Sequence, residues 1–440
     1  MNPQRMRRIM ALGLPIIGGM VSQNVLNLVD AFFVGRLGVV SLAAVGQASF
    51  ASFMSQALIL GLSIAVQAMA SRRLGEGKES TAAVPLNGGL LLSCALGLPW
   101  SVVLFVLAPR LFPLLNGHPE VIALAVPYWQ ARIVSVMAVG INFSFRGYFN
   151  GVNRSSLYFK TLLVMHLSNV VFNYALIFGH LGAPALGVLG AGIGSAMATF
   201  IGTLTYFYLG LTRVRHQGFL RHLPGPKTLL TLLRLAIPTS LQQFSFATGF
   251  TVLFWIVAQV GTAAVAAAHV VFQIALVAVL PGLGLGLAAA SLVGQALGRA
   301  DPMDAKTWGW EVMRVALVVM SLLGLPMILM PEAILGLFIT DPPTIAVGIP
   351  PLRITGVAMA IDAFGLVLLN ALMGAGDTRR VMIVSVLTQW GLSLPAAYLA
   401  GSVWGLGLTG ICLAHVAHRF VLAGGVIVLW HRGRWATISV

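Results

Sequence analysis

Long apolar stretches, separated by short polar or Pro/Gly-rich segments, follow one another along the whole chain. A bilayer is crossed by about 20 apolar residues in a helix, whereas barrel strands are shorter and alternate in polarity. The pattern therefore predicts an all-α integral membrane protein. Its twelve transmembrane helices are expected near residues 9–35, 46–70, 86–109, 123–146, 157–179, 187–210, 232–258, 265–293, 311–337, 349–372, 380–400 and 405–430.

Composition excludes most soluble classes of protein. Of 440 residues, 58% are hydrophobic and 8% are charged, whereas soluble domains have about 25% charged residues. The two cysteines lie in apolar stretches, so we expect neither a disulfide framework nor a metal cluster. The sequence contains no Walker A, GxSxG or HExxH motif, so we expect no enzyme and no cofactor other than a coupling ion.

Basic residues are distributed unequally between the two sides of the predicted membrane. With the N-terminus inside, 21 Lys and Arg residues fall on the inner side and four on the outer side, while Arg419 lies within the last span. The outer four are Arg36, Arg110, Arg132 and Arg353. The positive-inside rule then places both termini in the cytoplasm. The net charge of +15 is thus a topology signal with an attraction to membrane lipid, and no nucleic-acid partner is expected.

Short sequence strings recur along the chain at a constant spacing of 223 residues, which we call the repeat offset. Pro15 pairs with Pro238, Gly38 with Gly261, Gly75 with Gly298 and Gly151 with Gly374. The chain is therefore predicted to contain two six-helix bundles, residues 1–210 and 232–440, joined by a cytoplasmic linker loop at 211–231. Because six is even, both bundles cross the membrane in the same direction. They should be related by a pseudo-two-fold axis along the membrane normal, with a substrate site between them.

Two carboxylates lie well inside apolar stretches, Asp30 and Asp362. An acid at such a depth costs roughly 2.5–3.5 kcal/mol to insert, so it is expected to face a cavity or a partner. Gln23, Asn27 and Asp30 share one helix face, and Asn169 and Asn173 share another. These oxygens suit a small cation or a protonated acid. Hydrogen bonding between helices is the alternative interpretation of the amides.

The last helix carries His415, His418 and Arg419 within its inner half. Such residues can titrate, but we favour snorkelling or packing as the interpretation of their position. Asp362, on the tenth predicted helix, is interpreted as a lone, desolvated carboxylate.

Several segments together resemble the MATE (multidrug and toxic compound extrusion) family over nearly the whole chain. They are LPIIGGMVSQNVLNLVDAFFVGRLGVVSLAAVG at 14–46, RRLGEG at 72–77 with QALGRADP at 295–302, NVVFNYALIFG at 169–179, VGTAAVAAAH at 260–269 and LLNALMGAGDTRR at 368–380. The resemblance implies two six-helix bundles, alternating outward and inward states, and export of organic cations driven by inward H+ or Na+.

Family positions carried over to this chain mix two branches of the family. The resemblance makes Asp30 the coupling-ion residue. Further family positions of this site are Gln23, Tyr128, Asn169, Asn173 and Ser195, and Asn27 joins them through the helix face that it shares with Asp30. Binding of Na+ at Asp30, Asn169 and Asn173 is one option. Asn173 follows the NorM-like pattern where DinF-like members have an aspartate. Asp362 matches the acid in the tenth helix of NorM-like members, but Phe246 replaces their glutamate in the seventh helix.

The sequence therefore predicts a secondary active multidrug exporter that acts as a monomer in a bacterial-type inner membrane. Its substrates are expected to be small, mostly cationic organic compounds. We favour H+ over Na+, with Asp30 as the main coupling site and Asp362 as a cation-attracting or secondary proton site. The alternative is a flippase for lipid-linked precursors, which should line its cavity with several basic residues, whereas only Arg419 lies well inside a span here.

The charge distribution makes a testable prediction about topology. A reporter that is active only in the periplasm should be inactive when fused after Val440, and a reporter that fluoresces only in the cytoplasm should be bright there, because both termini are expected inside. The same reporter pair fused after Arg36, in the first predicted outer loop, serves as the control. Periplasmic activity at Val440 would contradict the prediction.

Overall fold

The computed structural model describes residues 2–115 and 117–440 and shows helices joined by short connections throughout that part of the chain. The helices of the first half are α1 Pro3–Gly35, α2 Val39–Gly75, α3 Val84–Leu115, α4 Pro119–Ile133, α5 Val136–Gly151, α6 Ser155–Phe178 and α7 Gly187–Arg213. Those of the second half are α8 Pro226–Ala258, α9 Thr262–Gly298, α10 Pro302–Leu329, α11 Pro331–Gly336, α12 Pro342–Gly374, α13 Thr378–Thr388, α14 Leu394–Tyr398 and α15 Gly407–Arg432. Two π-helical segments, Gln389–Ser393 and Leu399–Val403, join α13 to α14 and extend α14.

The predicted membrane spans are confirmed as an all-α, multi-pass arrangement. Within the described ranges, eleven helices or helix runs are long and apolar enough to cross a bilayer, and the bent pair α4 and α5 makes a twelfth. The predicted ninth span, 311–337, ends too late: α10 begins at Pro302 and stops at Leu329. Asp301 caps the start by accepting a hydrogen bond from the Asp304 amide, and Pro331 begins the next short helix.

The internal repeat extends to the helix boundaries themselves. α8 and α9 begin and end at the repeat offset from α1 and α2, and α12 covers the range of α4 and α5 at the same offset. Gly38 and Gly261 stand at the equivalent turns with φ of 107° and 141°, a backbone region that residues with a Cβ seldom adopt. Two copies of one helical unit therefore make up most of the chain.

One span is broken in the first copy and continuous in the second. α4 and α5 meet at a 50° bend around Val134 and Ser135. The Ser135 hydroxyl donates to the carbonyl of Arg132 at 2.8 Å, a local bond that competes with the helix. Ala358 stands at the equivalent position of α12, where no hydroxyl is available and the helix continues.

The chain forms two compact units, Gly18–Ser240 and Met1–Ile17 with Leu241–Val440. The two boundaries, after Ile17 and after Ser240, are separated by the repeat offset and so obey the repeat. These units differ from the predicted bundles 1–210 and 232–440, because the start of α1 belongs with the second half and the start of α8 with the first. The division into two six-helix bundles with a linker at 211–231 therefore stays a proposal.

A charged cluster holds the start of α1 in its unit. Arg5 pairs with Glu311 and, through Nη1, with Asp304 Oδ1 at 2.7 Å. Its guanidinium also lies 3.8 Å from the ring centroid of Trp308, and Arg8 donates to Gln295 at 2.6 Å. Because these partners lie on α9 and α10, charge as well as apolar packing fixes this segment.

Each unit has its own apolar core. In Gly18–Ser240, Phe145 stacks on Tyr206 with 5.1 Å between ring centroids, and both residues are buried. In the other unit, Leu253, Val257, Ala268 and Ile411 belong to one buried cluster. The cores leave long apolar helix faces exposed, which is expected of a protein whose solvent is hydrocarbon.

Close packing at Gly374 gives a prediction about stability. A Cβ at Gly374 would overlap the backbone of Ala290, and the same approach recurs between Gly151 and Gln67 in the first copy. Gly374→Ala should therefore destabilise the protein by about 1–3 kcal/mol, seen as a lower melting temperature in detergent. Gly365→Ala, on the same helix with no atom within 4 Å of the new Cβ, is the matched control and should not lower it. Equal melting temperatures for the two variants would contradict the packing.

Candidate functional site

Polar faces of α1 and α6 meet at two levels within the unit Gly18–Ser240. At one level, Gln23 Oε1 lies 3.1 Å from His166 Nε2. At the other, Asn173 Nδ2 donates to Asp30 Oδ1 at 2.8 Å. On each helix the two levels are seven residues apart, close to two turns or about 10 Å along the helix. A polar seam thus runs between two apolar helices.

Asp30 begins a chain of hydrogen bonds that crosses three helices. Asn173 Nδ2 donates both to Asp30 Oδ1 and to Asn169 Oδ1, the latter at 2.9 Å. Asn169 Nδ2 in turn donates to Ser195 Oγ on α7 at 3.1 Å. The two asparagines and Ser195 are buried. The structure therefore brings together four of the residues that the sequence predicted as a site: Asp30, Asn169, Asn173 and Ser195.

The chain of hydrogen bonds is one donor short. Asn173 Oδ1 is buried and has no hydrogen-bond partner among the described residues. An amide oxygen accepts up to two hydrogen bonds and also binds cations. The cluster around Asp30 therefore has one open acceptor, Asn173 Oδ1.

Gln23 and Asn27 form the second level of the seam. Gln23 Nε2 donates to the side-chain oxygen of Asn27 at 3.2 Å, and its own oxygen contacts His166. Since Gln23 Oε1 is an acceptor, Nε2 of His166 carries the hydrogen. His166 was not among the predicted site residues, although its spacing from Asn169 and Asn173 placed it on their face.

Tyr128, predicted as part of the site, lies apart from this chain of hydrogen bonds. Its hydroxyl lies 3.4 Å from Ser49 Oγ on α2, and the residue is 3% exposed. Arg132, one turn further along α4, is the charged residue that acts electrostatically on Asp30. The charge distribution had placed Arg132 on the outer side only, so no sequence signal indicated this interaction.

The second copy of the repeat lacks the polar cluster. At the repeat offset, Asp30 corresponds to Leu253 and Asn173 to Ala396, and these two residues pack in one hydrophobic cluster. Gln23 corresponds to Phe246, which is 53% exposed. Equivalent helix positions thus hold a carboxylate in the first copy of the repeat and apolar core residues in the second copy.

A different charged centre occupies the second unit. Asp362 on α12 forms an ion pair with Arg419 on α15, through Oδ2 and Nη1. Arg419 Nη2 also lies 3.3 Å from His415 Nε2. The interpretation of Asp362 as a lone carboxylate is therefore wrong, and Arg419 is held in an ion pair where the sequence favoured snorkelling or packing. Because Arg419 offsets the charge of Asp362, this centre does not attract a cation by net charge.

Two duplicated membrane units with compensated charges inside their helices define a polytopic membrane transporter. A family model, MatE, matches residues 15–175 and 238–399, and the two matches begin at Pro15 and Pro238, the first pair of the repeat. The chain belongs to this family, the MATE transporters. The double match also confirms the predicted internal repeat.

Similar proteins support this assignment over the full length of the chain. A Synechococcus protein described as "Probable multidrug resistance protein NorM" is 29% identical, with 96% of this chain and 93% of the relative covered. A Brucella suis protein of the same description is also 29% identical, with 96% and 92% covered. A solved outward-facing structure of a multidrug resistance MATE family transporter has a TM-score of 0.90 at 22% identity, with 99% and 97% covered, and shows the same fold.

The hydrogen bonds of Asn173 give a prediction about transport. Asn173→Ala removes the donor to Asp30 and to Asn169. Since a hydrogen bond to a charged group contributes about 1.5–3 kcal/mol, we expect transport driven by the coupling ion to fall roughly tenfold or more. The measurement is the initial rate of dye efflux from cells with matched expression. Asn24→Ala, which removes only a bond to the backbone of its own helix, is the control. Equal rates for the two variants would show that the amide only packs.

Proposed function

We propose that the chain is a multidrug exporter that moves small organic compounds, mostly cations, out of the cell in exchange for inward protons. Its membership in the MATE family and the multidrug resistance names of its relatives support export of drugs. We place it in a bacterial-type inner membrane with both termini in the cytoplasm, acting as a monomer. The charge distribution supports that orientation.

Asp30 is the coupling residue in this proposal. It lies on a membrane-spanning helix and is held by Asn173, whose oxygen has no hydrogen-bond partner among the described residues. A carboxylate that is held by a neutral amide can bind or release one proton, or one cation, without leaving an opposite charge of the protein unpaired. Asn27, Gln23 and His166 continue the polar seam along the helix pair and supply further hydrogen-bonding positions.

Hydrogen-bond directions support the proton as the coupling ion. At Asp30 the amide of Asn173 presents its nitrogen, and the oxygen of Asn169 already accepts a hydrogen bond from Asn173. A cage for Na+ needs about five or six oxygens that point at one place. Asn169 Oδ1 and Ser195 Oγ already accept hydrogen bonds from amide nitrogens, so few oxygens of the cluster are open, whereas a proton needs a single open acceptor. This arrangement of Asn173 is the observation that carries the proposal.

Exchange requires that proton and drug exclude each other. An ionised Asp30 attracts a cationic compound, and a protonated Asp30 does not. A ligand shifts a protein between two conformations only through different affinity for them. Competition for one charge gives that difference and couples inward proton flow to outward drug flow.

The test uses proteoliposomes with a pH gradient imposed in the absence of sodium. Wild-type protein should move a cationic dye when only the pH gradient is present. Asp30→Asn should abolish this movement, because the variant has no charge to exchange, while its melting temperature stays close to that of the wild type. Asp301→Asn, a change at a helix cap in a connection, serves as the matched acid-to-amide control and should still transport.

Three results would contradict parts of this proposal. Transport that requires added Na+ and ignores the pH gradient would replace the proton by sodium. Wild-type rates from Asp30→Asn would make the polar cluster structural. Movement of a lipid-linked precursor with no movement of any dye would favour the flippase.

A further inference from the structure

The ion pair between Asp362 and Arg419 is only half closed. Asp362 uses one carboxylate oxygen, and Arg419 uses one nitrogen, Nη1, for the contact. Guanidinium and carboxylate groups commonly pair through two parallel hydrogen bonds, which engage both oxygens. Here Asp362 Oδ1 has no hydrogen-bond partner among the residues that the structure describes. The acid and the base each keep an open side.

Arg419 retains most of its donors. Of the five N–H groups of a guanidinium, one serves Asp362 and one faces His415. The other three have no partner within residues 2–115 and 117–440. The Arg419 side chain is 17% exposed and that of Asp362 is 10% exposed, so both groups are largely buried.

Unmatched imidazole nitrogens add to the donors on α15. His415 Nε2 faces an Nη2 donor of Arg419, so its hydrogen is on Nδ1, which is buried without a partner among the described residues. His418 is 8% exposed, and both of its ring nitrogens are buried and unpartnered within the described chain. Buried donors without acceptors are unusual in proteins and indicate a missing acceptor.

Aromatic rings of the same unit lead to this charged centre. Phe246 stacks on Phe250 with 6.4 Å between centroids, Phe250 meets Phe272 at 5.5 Å, and Phe272 meets His415 at 6.2 Å. The row begins at the exposed ring of Phe246 and ends beside the ion pair. The exposed ring of Phe246 offers contact area to the apolar body of a drug-sized compound, and Phe250 and Phe272, which pack in the buried cluster of this unit, connect it to the charged centre.

We propose that Arg419 and Asp362 form a subsite for zwitterionic substrates, in which Arg419 binds a carboxylate and Asp362 binds an ammonium group. The proposal rests on the proposed export of organic compounds and adds a residue that decides which of them bind. A compound with only a positive charge that binds the open oxygen of Asp362 adds an uncompensated charge beside Arg419, and one that takes Asp362 from Arg419 leaves a buried guanidinium unpaired. A zwitterion brings its own anion, so the charges stay compensated in either case.

The test compares two probes that differ by one charge. One is a fluoroquinolone, which carries a carboxylate and a secondary ammonium, and the other is its ethyl ester, which keeps only the ammonium. Equilibrium binding of both to the purified full-length protein in nanodiscs is measured for the wild type and for Arg419→Gln. We expect Arg419→Gln to weaken binding of the acid by about tenfold or more relative to the ester, the loss of one charge-assisted contact. Arg419→Lys keeps the charge and should restore part of the preference.

Two further variants keep the test decisive. Asp362→Asn with Arg419→Gln removes both charges, so no buried charge is left unpaired if the single variant fails to fold, and the preference should again be lost. Arg380→Gln removes an arginine that pairs with Asp377 at 3.1 Å and is the matched control, which should keep the wild-type preference.

The outcomes separate this inference from the proposed function. Equal weakening of acid and ester in Arg419→Gln, or no weakening of either, would overturn the subsite. Preferential binding of the acid that depends on Arg419 supports the subsite even if the vesicles export neither probe, a result that would overturn the proposed function instead.

Discussion

Compensation of charge inside hydrocarbon is the constraint on which the rest of this structure depends. A carboxylate or guanidinium in a membrane-spanning helix has no water to solvate it, so the protein must supply the partner. The chain meets this requirement in two ways. Asp30 is compensated by the amide of Asn173 and, at longer range, by Arg132, whereas Asp362 is compensated by Arg419. In one case the compensation is partial and in the other it is a full opposite charge.

Duplication explains how both solutions fit one backbone. The helix boundaries of α1 and α2 recur in α8 and α9 at the repeat offset, so the two copies offer equivalent positions on equivalent helices. At those positions the copies diverge: Asp30 is replaced by Leu253, and Val139 of the first copy is replaced by Asp362. The fold tolerates either because helix formation in a membrane depends on backbone hydrogen bonds, not on these side chains. The two copies can therefore carry different polar centres while their helices keep the same boundaries.

Local spacing carried most of what could be predicted from the sequence. Apolar length predicted the spans, and the offset between Pro15 and Pro238 predicted the repeat, because both are properties of neighbouring or regularly spaced residues. Helix periodicity predicted that Asn169 and Asn173 share one helix face. The resemblance to a known family then indicated that this face belongs to the same site as Asp30. The ion pair between Asp362 and Arg419 did not follow, since it joins residues 57 positions apart on different helices. The break at Ser135 and the placement of the segment Met1–Ile17 likewise depend on tertiary contacts.

The two centres differ in what they can exchange, and this difference follows from their compensation. A carboxylate held by a neutral amide can take up a proton or release it without leaving an opposite charge behind. A carboxylate held by Arg419 cannot be neutralised so simply, because the guanidinium would then be unpaired in a low-dielectric surrounding. We therefore propose ion exchange at the cluster around Asp30, and a change of partner, charge for charge, at the pair of Asp362 and Arg419. A ligand that carries both charges is the one that makes such a change of partner without leaving either residue unpaired.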